Sequence, residues 1–214
     1  MQEVNVKMYS FGELSEDAKR KVRNILRNSV YEVETSATWD DAEGSFKKFC
    51  YYFDVECRNY DIDTFGYSFG NINVIGYWGD NSEIAELNGK HLRRWVNHIV
   101  ENFIIKPKTY YSRNYYASNK KRCSRIQKEF TGYELTGMCY DYDILEPVMK
   151  YYRGDTNVGD NYTYKDLMEE CLDSFFSAVQ KDFEYYYSDE GVDEYIQANY
   201  GEDFLKSGKL AIIA

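Results

Sequence analysis

The chain has 214 residues, 43% of them hydrophobic, which is enough to bury the core of one large domain or two small ones. Its formal net charge of −10 excludes a protein that wraps DNA or covers an anionic membrane with its whole surface, because like charges repel. With two prolines and no run rich in Ser and Gly, the chain shows no linker, and we predict a single domain over 1–214.

The cysteines and the absence of common catalytic motifs reduce the number of function classes that fit the sequence. The five cysteines include no C-x-x-C pair, so neither a disulfide framework nor a zinc ribbon is indicated, and a reducing compartment fits. No Walker A, G-x-G-x-x-G, G-x-S-x-G or H-E-x-x-H pattern occurs, and we expect no cofactor. The start lacks a signal-peptide pattern and no window of about 18 apolar residues could cross a bilayer, so we expect a soluble protein without membrane contact.

Sequence patterns in the first quarter of the chain predict a strand and two helices. Residues 3–9 alternate between apolar and polar, which predicts a short strand. Ser15 precedes a helix predicted from Glu16 into the low thirties. Its predicted core positions are Ala18, Val22, Ile25, Leu26, Ser29 and Val33. Its predicted solvated face carries Lys19, Arg20, Arg23 and Arg27. Thr38 is predicted to cap a second helix with the core positions Trp39, Ala42, Phe46, Phe49, Cys50 and Phe53.

The middle of the chain predicts a hairpin followed by helices. Residues 62–78 alternate with a period of two and contain Gly70-Asn71, which predicts a β-hairpin turning at that dipeptide. Apolar residues at three- and four-residue steps over 92–103 predict a helix. A further helix is predicted over 118–130.

A second alternating segment completes the predicted sheet. Residues 133–144 are predicted to form a strand that pairs with the hairpin at 62–78. The predicted fold class is therefore α+β, with helices packed on one face of a small, mostly antiparallel sheet. A basic, tyrosine-rich insertion at about 106–130 is predicted to interrupt this domain.

The C-terminal part predicts two capped helices. Thr163 and Asp166 have the spacing of a capping box in front of a long helix over about 164–187. Ser188 is predicted to cap one more helix that continues to about Asn199, and a small hairpin is predicted after it.

The segment 106–128 concentrates the positive charge. It contains eight Lys and Arg residues and no acid, whereas the rest of the chain carries 18 basic and 36 acidic residues. Cations beside aromatic rings suit a phosphate backbone with stacked bases, or an acidic protein face. The alternative is a solvated loop beside its own acidic body. The candidate partner-binding residues here are Lys108, Tyr110, Tyr111, Arg113, Tyr115, Tyr116, Lys120, Lys121, Arg122 and Arg125.

Two D-x-D pairs are candidate metal ligands. If they lie on strands, alternation places the carboxylates of Asp61 and Asp63 on one face, and likewise those of Asp141 and Asp143. Such oxygen-rich sites hold Mg²⁺ in nucleases and phosphotransferases. The alternative is that these acids cover the wet face of a sheet.

Both ends of the chain resemble a family of small bacteriophage and prophage proteins. The resemblance is carried by YSFGELSEDAKRKV at 9–22 and by SDEGVDEYIQANYGEDFLKSGKL at 188–210, with the pair Trp39-Asp40 and the phrase YDID at 60–63. Some members of that family carry an antitoxin-like label. The resemblance implies a protein acting in the host bacterial cytoplasm, and it implies no catalytic residues.

This setting and the acidic, aromatic composition suggest a non-enzymatic inhibitor of a bacterial defence ribonucleoprotein, of the anti-CRISPR kind. Carboxylates of this protein could pair with arginines of the target that normally bind phosphates, while its tyrosines become buried in the interface. A local RNA contact is also possible. The alternatives are a metal-dependent nuclease or phosphotransferase and an antitoxin-like interaction protein. The acidic candidates for partner binding are Asp182, Glu184, Asp189, Glu190, Asp193 and Glu194. A solvated helical face would explain the same acids.

Overall fold

The computed structural model of the protein describes residues 7–76, 79–80, 82–105, 108–111, 126–129, 135–159 and 161–211. The helices in these ranges are α1 (Glu16–Tyr52), α2 (Ser82–Ala85), α3 (Gly89–Ile99), α4 (Tyr140–Arg153), α5 (Tyr164–Tyr187) and α6 (Asp189–Asn199). The strands are β1 (Val55–Cys57), β2 (Asp61–Asp63), β3 (Gly66–Ser68), β4 (Ile72–Gly76), β5 (Gly79–Asp80), β6 (Lys108–Tyr111) and β7 (Ile126–Glu129). A 3₁₀ turn (Phe11–Glu13) precedes α1, and a π-helical turn (Val100–Ile104) continues α3. The α+β class is confirmed.

One continuous helix, α1, replaces the two helices predicted before residue 53. Thr38 does not cap a helix; it is buried inside α1, and its hydroxyl donates to the Tyr186 hydroxyl at 3.4 Å. The helix continues because residues 31–41 contain no Gly or Pro, and because the half-buried Glu34 and the buried Thr38 keep the four-residue spacing between Val30 and Ala42. Its buried apolar residues are Ala18, Val22, Leu26, Val30, Ala42, Phe46 and Phe49. Ile25 and Val33, which were predicted to lie in the core, are exposed.

The predicted hairpin over 62–78 is wrong in its pairing. β4 pairs antiparallel with β1, in a register that places Val55 opposite Val74 and Cys57 opposite Ile72. All four side chains are buried, so this pairing removes apolar surface from water on one face. β5 extends the same sheet beyond β4, while β2 and β3 form a separate two-stranded ribbon.

The predicted strand over 133–144 is also wrong, since its last five residues begin α4. Tyr140, Ile144 and Val148 are all buried, and their four-residue spacing places them on one side of a helix. The alternation of apolar and polar residues at 140–144 is therefore compatible with a strand and with a helix. The helix predicted over 118–130 is wrong where the structure describes it, because 126–129 form β7, which pairs with β6.

The structure confirms the two capped helices predicted in the C-terminal part of the chain. Thr163 and Asp166 form the predicted capping box: the Thr163 amide donates to Asp166 Oδ2 at 2.8 Å, and the Asp166 amide donates to Thr163 Oγ1 at 3.2 Å. Ser188 caps α6 by accepting from the Gly191 amide at 3.1 Å. The end of the chain folds back as predicted, with an antiparallel bridge between Phe204 and Leu210. Of the predicted strand over 3–9, residues 1–6 lie outside the described ranges, and Tyr9 bridges to Phe204.

The chain divides into two compact units. The first unit contains 1–40, 62–67 and 179–214, and the second contains 41–61 and 68–178. The core of the first is Phe11, Leu14, Ala18, Val22, Leu26, Val30, Val192, Ile196 and Phe204. In the second, aromatic rings dominate, with Phe46 stacked on Phe175 at 5.7 Å between ring centroids and Phe49 on Phe53 at 4.6 Å. The single domain over 1–214 stays a prediction. Across the described ranges, every helix is too short or too polar to span a membrane.

Candidate functional site

Two of the predicted partner-binding acids are held in ion pairs inside the first unit. The carboxylate of Asp193 on α6 accepts two hydrogen bonds from Arg23 on α1. Nε donates to Oδ1 and Nη2 donates to Oδ2, each at 2.6 Å. Asp189 pairs with Arg27 one turn further along α1. The Arg23 and Arg27 side chains are 16% and 19% exposed, so the prediction of a solvated face is wrong for them.

These pairs shift the titration of their members. The hydrogen bond from Arg27 lowers the pKa of Asp189, and the hydrogen bond to Asp193 raises the pKa of Arg23. Asp189 and Asp193 therefore stabilise the contact between α6 and α1. Their carboxylates are already paired before any partner arrives.

A cleft of about 410 Å³ lies in the first unit, where α5 and α6 meet. Its charged and aromatic lining consists of Glu34 of α1, Tyr185 and Tyr186 of α5, and Glu194 and Tyr195 of α6, and the rest of the lining is Gly191, Ala198 and Asn199. We call this set the acidic cleft. Glu194 accepts from the Tyr185 hydroxyl at 2.5 Å, and this hydrogen bond raises the pKa of Tyr185 to about 12. The phenol therefore stays neutral and fixes the position of the carboxylate.

A tight turn between α5 and α6 builds this cleft. The Ser188 hydroxyl donates to the Tyr185 carbonyl at 2.6 Å while it accepts from the Gly191 amide. A Cβ on Gly191 would overlap the Tyr185 carbonyl, so only glycine permits this approach of the two helices. The turn brings the last tyrosines of α5 to the same cleft as Glu194 and Tyr195.

The other predicted acids lie nearby on the chain but do not line the cleft. Glu184 accepts from the side-chain amide of Gln180 at 2.7 Å. Asp182 is half-buried on α5, and Glu190 is exposed in the first turn of α6. Of the six predicted acids, Glu194 alone lines the cleft, while Glu34 and the three tyrosines were missed. Glu34 precedes Tyr185 by 151 positions (185 − 34), so the sequence contained no local signal that these side chains would meet.

The described part of the basic segment is a two-stranded ribbon. Lys108, Tyr110 and Tyr111 lie on β6, and the backbone register places Lys108 opposite Glu129 and Tyr111 opposite Ile126. The other candidates of this segment lie outside the described residues, namely Arg113, Tyr115, Tyr116, Lys120, Lys121, Arg122 and Arg125.

The two D-x-D pairs do not build a metal site. Asp61 and Asp63 lie on β2, whereas Asp141 and Asp143 lie in the first turn of α4. Asp63 accepts from the amides of Phe65 and Gly66, at 2.6 and 3.0 Å, and thereby holds a tight turn. Searched over the described residues, the chain contains no group of three His, Cys, Asp or Glu residues that could hold a metal ion.

Asp141 has a structural role instead. The buried carboxylate accepts from the Ser45 hydroxyl at 2.6 Å and from the amides of Leu135, Thr136 and Gly137 at 2.7 to 2.9 Å. Burial alone would raise the pKa of Asp141, but these hydrogen bonds outweigh it and the pKa is lowered. The residue fixes the loop that enters α4.

Burial also reduces the reactivity of three cysteines. It raises the pKa of Cys50 to about 12 and that of Cys57 to about 11, and it raises the pKa of the fully buried Cys171 as well. Because the thiolate is the nucleophilic form, these three side chains are unsuited to covalent catalysis at neutral pH.

A second and larger cleft lies in the second unit. About 1020 Å³ in volume, it is lined by Lys47, Lys48, Tyr51 and Tyr52 at the end of α1, by Asp54 just after α1, and by Phe103 of the π-helical turn, together with Gly44 and Thr136. We call this set the aromatic cleft. Phe103, the last of the apolar residues that predict a helix over 92–103, is 42% exposed.

Comparison of the chain with protein-family models, with curated proteins and with solved structures gives no match.

Proposed function

We propose that this protein is a phage-encoded binding protein that inhibits a bacterial defence ribonucleoprotein of the CRISPR type and that it is not an enzyme. The observation that carries the proposal is the acidic cleft. It combines two carboxylates, from Glu34 and Glu194, with three tyrosine rings around one concave surface. The phage setting is supported by the resemblance of residues 9–22 and 188–210 to phage and prophage proteins.

The chemistry of the acidic cleft suits an arginine or lysine side chain of a partner. A guanidinium group can donate hydrogen bonds from its edge to a carboxylate, and its face can stack on an aromatic ring. Channels that bind nucleic acids are lined by such cations, which meet phosphates in the absence of an inhibitor. A cleft that offers carboxylates to these cations competes with the nucleic acid for the same groups.

Anchoring is the role of the tyrosines. Rigid aromatic side chains contribute large contact areas at low entropic cost, and they dominate the energetics of many interfaces. Tyr185 and Tyr186 pack edge to face, with ring centroids 5.9 Å apart. Their geometry is held by the α5–α6 turn, so little order has to be gained on binding.

The experiment measures whether the protein protects phages from a CRISPR-bearing host. We expect its expression to raise the plating efficiency of a targeted phage. Glu34→Lys and Glu194→Lys should abolish this protection and weaken the Kd for the purified effector complex by about tenfold or more, because each places a cation against the partner's cations.

A matched control reverses the exposed Glu202, which belongs to the same unit and gives the same change in net charge. Glu202→Lys should protect like the wild type. The proposal is overturned if no CRISPR type is inhibited, or if the cleft variants inhibit as well as Glu202→Lys does.

A further inference from the structure

The only Asn-Gly dipeptide of the sequence, Asn88-Gly89, lies at the start of α3. An asparagine in this position can react with its own backbone, because glycine has no side chain to hinder attack of its amide nitrogen on the side-chain carbonyl carbon of asparagine. Asn88, Gly89 and Lys90 are all exposed, so water and base can reach the reacting atoms. A Cβ built on Gly89 would meet no atom within 4 Å, so the space beside this amide is open.

The side chain of Asn88 does not cap α3. Asn88 is the N-cap residue, yet its side chain makes no capping hydrogen bond with the first turn, whereas Ser188 accepts such a bond at the start of α6. Its Nδ2 donates instead to the Glu86 carbonyl at 3.4 Å, which is long for an N–H···O hydrogen bond. The carboxamide can therefore turn toward the backbone at little cost.

The amide nitrogen of Gly89 is available as well. Gly89 is the first residue of α3, and the first amides of a helix have no carbonyl one turn earlier to which they could donate. The Asn88 carbonyl accepts from the amides of His91 and Leu92, both at 3.1 Å, so the peptide group between Asn88 and Gly89 must rotate before the nitrogen can attack. The ends of helices fray, and fraying of the first turn allows this rotation.

The positive end of the helix dipole favours the reaction. The first turn of α3 contains Lys90 and His91 but no acid. Negative charge develops on the side-chain oxygen of Asn88 when the nitrogen adds to its carbonyl carbon, and the N-terminus of a helix stabilises an anion there. An aspartate at the same position would also place a full negative charge where this first turn now has none.

We propose that Asn88 is a self-modification site at which the protein deamidates to aspartate and isoaspartate. The Gly89 nitrogen loses its proton to a base and bonds to Cγ of Asn88, and the Cγ–Nδ2 bond breaks with release of ammonia, which carries away one proton. Water then opens the cyclic imide. Cleavage between Cγ and the Gly89 nitrogen gives aspartate, and cleavage between the backbone carbonyl carbon of Asn88 and that nitrogen gives isoaspartate. The reaction consumes one water and releases one ammonia.

The two products affect α3 in opposite ways. Aspartate keeps the backbone as it is and adds negative charge at the N-terminus of the helix. Isoaspartate inserts a methylene into the backbone at the bridge between Asn88 and Thr163, next to the hydrogen bond from the Tyr164 amide to the Leu87 carbonyl at 2.9 Å. Deamidation therefore alters the contact between the start of α3 and the start of α5. The inference does not rest on the proposed inhibition of a defence complex.

Peptide mapping by mass spectrometry tests the site on the purified, folded protein after incubation in mildly alkaline buffer. The peptide that contains Asn88 should gain the mass difference between a carboxyl group and a carboxamide. The modified fraction should be smaller in mildly acidic buffer, because the attacking nitrogen must lose its proton. Asn28 is the internal control: it is also exposed and precedes a serine, but it lies inside α1, where the next amide donates to a helical carbonyl. Asn28 should stay unmodified over the same time.

Two variants at the site provide a second measurement. Asn88→Gln moves the carboxamide one methylene further from the backbone and should remain unmodified. Asn88→Asp should have a higher melting temperature than Asn88→Gln, because its carboxylate faces the positive end of the α3 dipole. The isoaspartate form, separated from the aged wild type by chromatography, should melt at a lower temperature than Asn88→Asp.

Modification of Asn88 no greater than that of Asn28 in the folded protein overturns the inference. Reaction of Asn88 in urea but not in native buffer also overturns it, since the fold would then protect the site. A melting temperature of Asn88→Asp no higher than that of Asn88→Gln overturns the effect assigned to the α3 dipole.

Discussion

Asp141 illustrates how a single buried charge is stabilised in this protein. Its side chain accepts hydrogen bonds from two hydroxyls and three backbone amides, which replace the water that the carboxylate loses on folding. The amides belong to 135–137, so the carboxylate satisfies the backbone of the loop that leads into α4.

We expect Asp141→Asn to lower the free energy of unfolding at pH 7 by about 2–4 kcal/mol. The side-chain NH₂ of asparagine would face the hydroxyl and amide donors that now bind the carboxylate. The pKa of Asp141 is below its ordinary value of 3.8 in the folded protein. Its carboxylate therefore stabilises the fold above that pH, and this contribution is lost as the pH falls through the lowered value. Urea unfolding between pH 3 and 7 should show a flatter pH dependence in the variant.

Asp155→Asn is the control, since Asp155 is exposed in the loop after α4. Its unfolding free energy should stay within about 0.5 kcal/mol of the wild-type value. Equal stabilities of Asp141→Asn and the wild type would show that the hydrogen bonds to Asp141 contribute nothing net.

At the scale of elements, the charged faces of α1 and α6 attach the two helices to each other. Arg23 and Asp193 form a bidentate pair in which both side chains are less than a quarter exposed. Arg20 and Asp17 form a pair on α1 that is 72% and 80% exposed. The two pairs differ mainly in burial, and burial decides how strongly water and salt weaken an ion pair.

A double-mutant cycle with Arg23→Ala and Asp193→Ala should give a coupling energy of about 1–2 kcal/mol in the free energy of unfolding. The same cycle on Arg20 and Asp17 should give about 0.2–0.5 kcal/mol. Chemical unfolding of the single and double variants measures both. A coupling for Arg23 and Asp193 no larger than that of the exposed pair would contradict the structural role that we assign to Asp193.

Charge is distributed unevenly over the whole molecule. The net charge of −10 arises although the segment 106–128 is strongly basic, so this segment either contacts an anionic partner or neutralises its own acidic body. The two roles make opposite predictions about stability. Contact with a partner requires contiguous cations, whereas neutralisation of the body does not.

If the segment makes the RNA contact that its sequence suggests, the triple variant Arg113→Glu, Lys121→Glu, Arg125→Glu should lose binding to a labelled single-stranded RNA oligonucleotide and keep its melting temperature. Each reversal changes the charge by −2, so the net charge becomes −16 instead of −10. Reversal of the exposed Lys21, Lys206 and Lys209 changes the net charge equally and is the control. Thermal melts and anisotropy measure both properties. A lowered melting temperature with intact binding would show instead that the segment neutralises the acidic body, because its reversal would increase the repulsion among the acids.

The sequence by itself determined the features that depend on near neighbours in the chain. The bounds of α5 and the caps at Thr163 and Ser188 were predictable, because a capping box and an apolar stripe involve residues three or four positions apart. The α+β class is confirmed, although the strand pairing predicted for it between 62–78 and 133–144 is wrong.

Only the tertiary structure decided which distant segments meet. Alternation at 140–144 is equally consistent with a strand and with one face of a helix, and contacts of Asp141 with the preceding loop select the helix. The pairing of β1 with β4 and the ion pair between Arg23 and Asp193 join segments far apart in the chain. Both clefts arise in the same way, because a concave surface requires side chains from several elements. Such contacts depend on packing in three dimensions, which local spacing does not encode.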